Sequence, residues 1–98
     1  MKTNKLTDAA LDWAVMQCRG LVWSLHGRVP SSTDWSQGGP IIEREKITIE
    51  WTGEDWMGYI RHDDEVFGPT PLIAAMRCFV SSRLGDDIEI PSEIIEGI

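Results

Sequence analysis

The sequence predicts an α+β fold in which a small antiparallel sheet of about three strands is packed by an N-terminal and a C-terminal helix. Apolar residues recur at helical spacing near both ends of the chain. Between them, residues 47–51 alternate apolar and polar, and a second β-type run follows after a turn. A length of 98 residues with 42% hydrophobic and 26% charged side chains suits one globular domain, because two cores would each be too small to stand alone. That domain is expected to span residues 1–98, with a core at about 6–85 and an acidic tail, partly ordered at best, at 86–98.

The first helix is expected over Asp8–Arg19. Thr7 can cap its free amides, Asp8 suits the positive end of its dipole, and Leu6 is placed to pack on Leu11. Leu11, Ala14, Val15 and Cys18 share one stripe, and Gly20 offers a left-handed stop. Trp13 points away from that stripe, so either the helix is buried on two sides or an indole lies at the surface. Residues 21–25, bounded by Gly20 and Gly27, have β-branched and aromatic character and read as a short strand. Residues 28–40 are rich in proline, serine and glycine and read as a long irregular loop, with Trp35 as its anchor and Asp34 or Thr33 as a local cap. Pro40 then suits the first position of a turn or two over residues 41–45.

Residues 47–51 form a strand, residues 52–55 a turn, and residues 56–61 return antiparallel, so that Trp51 and Trp56 flank the bend. A third strand is expected at residues 65–67. The second long helix opens on Thr70 as cap and Pro71 as first residue, carries a wide apolar arc from Leu72 to Leu84, and stops at Gly85. Opposite that arc, Ala74, Cys78 and Ser81 make a row of small residues fit for close helix or subunit approach, while Arg77 and Ser82 read as solvated.

The formal net charge is −7, unevenly placed: through Arg28 four cations face two carboxylates, and the remaining residues sum to −9. Phosphate repels such a chain, so sequence-independent nucleic-acid binding loses its counterion-release contribution and basic partners are electrostatically preferred. No apolar run approaches the roughly 20 residues a bilayer requires, and the N-terminus lacks a signal-peptide core, so a soluble cytoplasmic protein with no membrane partner is expected. Cys18 and Cys78 lie sixty residues apart within apolar helical patterns and read as buried thiols of a reducing compartment.

His62, Asp63, Asp64 and Glu65 gather four potential metal or acid–base groups, but contiguous residues in a turn diverge, and a polar loop tip is the stronger reading. The chain has no GxSxG, HExxH, P-loop or GxGxxG motif, so neither a catalytic residue, a metal nor a cofactor is assigned. Five tryptophans are many for this length, and some should be partly exposed. Glu50, Glu54 and Asp55 surround Trp51 and Trp56, which favours protein contact over stacking on single-stranded bases. Trp13, Asp34, Trp35, Trp51 and Trp56 are the candidate binding residues.

The run SSTDWSQGGPIIERE at residues 31–45 and the run GPTPLIAAMRCFVSSRLG at residues 68–85 closely resemble the NinX-like family of small tailed-phage and prophage proteins. The opening LDWAV at residues 11–15 fits the same pattern, and the likeness covers most of residues 7–91. The chain is also distantly similar to a phage domain described as an α-β-α sandwich, in which a Ser-Thr-Asp loop, a Trp-bearing strand and a Pro-Leu-led final helix recur. It departs from the longer members by a shorter stretch between Gly20 and Ser31. The resemblance implies phage origin and a bacterial host cytoplasm, and it brings no catalytic residues.

Three readings of function follow. The first is a non-enzymatic module that binds a host or phage protein, with a homodimer through the small-residue row as a further option. The second is a small metal-dependent hydrolase using Asp34, His62, Asp63 and Asp64. The third, a single-strand nucleic-acid binder through exposed tryptophan, requires a basic stripe that the sequence lacks.

Overall fold

The computed structural model describes residues 1–61 and 64–96. Helix α1 runs Asp8–Arg19, and a single turn, α2, runs Trp23–His26. Helix α3 spans Trp35–Glu45, followed by strands β1 (Thr48–Trp51), β2 (Trp56–Tyr59) and β3 (Val66–Gly68). Helix α4 (Pro71–Leu84) and the short α5 (Ser92–Glu96) complete the fold. The strands form one antiparallel sheet in the order β1-β2-β3, as the alternating pattern predicts.

Helix α4 is the centre. Thr70 caps it through its hydroxyl, which accepts from the Ile73 amide at 3.0 Å, Pro71 follows, and Gly85 ends it at φ 84°. Nearly its whole circumference is buried, the condition of a helix sandwiched between layers. Toward the sheet it presents Ala74, whose backbone lies where a Cβ on Gly58 or Gly68 would sit, at 3.0 Å and 2.7 Å. The small-residue row thus serves close helix–sheet approach within the chain. Its other side meets α1 and α3: Leu72 lies against Gly38, and Phe79 is stacked by the Arg44 and Arg83 guanidinium groups at 5.9 and 5.2 Å. The buried apolar side chains of α1, α3, the sheet and α4 form one cluster that includes Leu6, Leu11, Ile41, Met76 and Phe79.

Helix α1 has the predicted bounds and stops at Gly20, whose φ of 72° lets Leu21 N–H reach the Met16 carbonyl. Thr7 occupies the cap position, but its side chain makes no cap hydrogen bond, and Asp8 has a left-handed φ of 49°. The strand expected at residues 21–25 is the helical turn α2 instead. No strand among the described residues pairs with it, and the local alternative wins: Gly27 N–H bonds the Trp23 carbonyl, while His26 Nδ1 meets the Val22 backbone.

The long loop expected at residues 28–40 ends at Asp34, because α3 absorbs Gly38, Gly39 and Pro40. Gly38 is there for space. A Cβ would lie 2.4 Å from the Ser31 carbonyl oxygen and 2.5 Å from a Leu72 methyl, so only glycine lets α3 approach both. Trp35 does not anchor the loop, being 53% exposed; Asp12 does, as described below. After Gly85 the chain returns to its beginning: Thr3 N–H bonds the Asp86 carbonyl, the Met1 amine pairs with Asp87 at 3.0 Å, and Ile94 is buried. No helix among the described residues is long and apolar enough to cross a membrane.

Candidate protein-contact site

Strand register sets the most prominent aromatic feature. Thr48 faces Tyr59, and successive pairs bring Trp51 opposite Trp56 at the mouth of the hairpin. Their ring centroids lie 5.3 Å apart at an interplanar angle of 57°, a tilted contact of the kind aromatic quadrupoles favour. The turn beyond them is fixed by its own polar groups. Thr52 Oγ1 donates to Asp55 Oδ1 at 2.7 Å and accepts from the Asp55 amide at 3.1 Å, and Gly53 supplies the φ of 105° that the bend requires. Trp51 is 56% exposed, whereas Trp56 is half-buried. Exposed Glu50 and Glu54 flank the pair. Glu50 Oε1 accepts from the Tyr59 hydroxyl at 2.9 Å, an interaction that raises the phenol above its ordinary pKa.

The other candidates lie apart from this pair, on helices packed against the opposite side of α4. Trp13 is half-buried against the core, which settles its two alternatives in favour of a helix covered on more than one side. Trp35 is the exposed first residue of α3. Asp34 caps that helix: its Oδ1 accepts from the Ser36 amide at 2.9 Å and the Ser36 hydroxyl at 2.7 Å, which together hold its carboxyl below the usual range. Asp64 is exposed in the turn after β2, and His62 and Asp63 lie outside the described residues. Among the described residues no three His, Cys, Asp or Glu side chains converge on a metal position. Burial pushes the Cys18 and Cys78 thiols up to about 11, so both are held as unreactive thiols near neutral pH.

Two buried charges carry more of the architecture than their sequence positions suggest. Asp12 is fully buried one turn into α1, where Oδ2 accepts from Arg28 Nε at 2.7 Å and Oδ1 from the Ser32 amide at 2.8 Å. This carboxylate pins the loop that Trp35 was expected to hold. The hydroxyls of neighbouring Ser31 and Ser32 are buried without a hydrogen-bond partner among the described residues. Arg77, expected to be solvated, is 8% exposed on the sheet side of α4, and it donates to the Leu6 carbonyl at 2.8 Å and the Phe67 carbonyl at 2.9 Å. The signal for both was position. Asp12 adjoins the apolar stripe through Leu11 and Val15, and Arg77 falls beside Ala74 and Cys78 on the row that faces the sheet.

No curated protein matches the chain. The family described as Bacteriophage P22, NinX matches residues 2–83, which take in every element from α1 to nearly the end of α4, the first run that carries the sequence resemblance and all but the last two residues of the second. The chain therefore belongs to the bacteriophage P22 NinX family.

Proposed function

We propose that this phage-family protein is a non-enzymatic binding module that docks on a protein of the host or the phage, through the hairpin mouth formed by Trp51 and Trp56. The observation that carries this is an indole 56% exposed yet in tilted ring contact with a neighbour whose centroid is 5.3 Å away. Tryptophan at the surface of a rigid turn supplies large contact area at low entropic cost, the character of a binding hot spot. The flanking Glu50 and Glu54 carboxylates favour a basic partner and oppose nucleic acid.

The test is affinity capture from a bacterial host lysate with wild-type protein and with Trp51→Ala. Trp51 is 56% exposed and lies outside the buried core, so the substitution is expected to leave folding intact by circular dichroism while a specifically captured protein is lost. Capture of nothing above background, or of the same proteins by both forms, overturns the reading.

A further inference from the structure

A cleft of about 930 Å³ opens beside the hairpin, between the N-terminal turn at Thr3–Lys5 and the outer end of β3. That volume falls in the size range of small-ligand sites, and the cleft is open to solvent rather than enclosed. Arg77 of α4, 8% exposed, is among the residues that line it. Its Nε and Nη1 are spent on the Leu6 and Phe67 carbonyls. Those acceptors are neutral, and no carboxylate pairs with the guanidinium among the described residues. Burial lowers its pKa, yet a guanidinium keeps its proton at any physiological pH, so a buried charge sits here with no ion-pair partner among the described residues.

The lining carries both signs: Lys2 and Lys5 join Arg77, against the carboxylates of Glu54, Asp55, Asp64, Glu65 and Asp86, and Lys5, Glu54 and Glu65 make no ion pair among the described residues. A simple anion would meet Arg77 and Lys5 but also the repulsion of the carboxylates. A simple cation would leave Arg77 unanswered. A ligand bearing a carboxylate with a cationic side chain a few bonds away satisfies both walls.

We infer that the cleft takes the C-terminal end of a basic polypeptide, with its terminal carboxylate on Arg77 and Lys5 and its lysine or arginine side chains on Glu54 and Glu65. This rests on the protein-contact reading above and names the chemistry of the partner. Gly68, which lines the cleft, pairs with Trp56 in the sheet, so the tryptophan pair is placed to report occupancy.

The experiment is a tryptophan-fluorescence titration of the intact protein with three hexapeptides: one with arginine near a free C-terminal carboxylate, its C-terminal amide, and its arginine-to-glutamate version. The free acid is expected to bind saturably and at least about tenfold tighter than either control. Exposed Lys5→Ala and Glu65→Gln are each expected to weaken it about threefold with unchanged melting temperature. Arg77→Lys is expected to lose most of the binding; should it fail to fold, the two surface variants decide. Equal binding of acid and amide, no saturable binding, or indifference to both surface variants overturns the inference. If Trp51→Ala still abolishes capture from lysate, only the cleft assignment falls; if peptide selectivity stands while capture is indifferent to Trp51, only the hairpin assignment falls.

Discussion

Asp12 shows how one buried side chain can substitute for a loop's missing hydrophobic anchor. Its two oxygens are shared between a guanidinium from the segment after α2 and a backbone amide at Ser32, so the chain between α2 and α3 is held by charge-assisted hydrogen bonds. Removing the carboxylate strands the Ser32 amide in a buried position. Asp12→Ala is therefore expected to cost about 2 kcal/mol of unfolding free energy in a urea titration, the scale of an unsatisfied buried polar group; a change within error would mean that the loop is held elsewhere. Asp12 and Arg77 were illegible as core residues because charge ordinarily places a side chain in water, and their hydrogen-bond partners lie distant in the chain. The cap at Thr70 and the stops at Gly20 and Gly85 were legible because the forces that set them act within a turn.

At the scale of elements, the glycines of β2 and β3 set how near α4 lies to the sheet. A Cβ on Gly68 would stand 2.7 Å from the Ala74 amide nitrogen, which is backbone and cannot swing aside. Gly68→Ala is expected to lower stability by about 1–3 kcal/mol through overpacking, measured by thermal or chemical unfolding, although alanine is an ordinary strand residue. Unchanged stability would show that the helix can shift outward at little cost. The hairpin and α4 were legible from strict alternation and from clear start signals. The bounds of α3 and the existence of α2 were not. Glycine and proline in α3 spell a loop by local preference, but tertiary contact with Ser31 and Leu72 overrides it, and the residues of α2 look β-like yet find no strand to pair with. Of the candidate site, the juxtaposition of Trp51 and Trp56 followed from register alone, whereas the exposure of Trp35 and the cleft floor at Arg77 depend on packing between distant segments.

For the whole molecule, several carboxylates are tied to donors in the folded state and held below their ordinary pKa: Asp34 by Ser36, Glu45 by Arg44 and Arg83, and Asp87 by the N-terminal amine and Lys2. A depressed folded-state pKa gives stability that is present above the unfolded carboxylate value and lost as pH falls through the folded one. The thermal stability of wild type over Asp87→Asn, present at pH 6, is accordingly expected to start falling near the ordinary aspartate pKa of about 4 and to vanish only in stronger acid, once the folded carboxylate itself is protonated; an advantage undiminished down to the lowest pH at which the protein folds would contradict the ion pair. The central position of α4 has a further consequence during synthesis. A ribosome delivers α1, α3 and all three strands before it delivers residues 71–84, so the nascent chain must wait with its greasy surfaces unclaimed until that spacer emerges, and cooperative assembly is postponed until then.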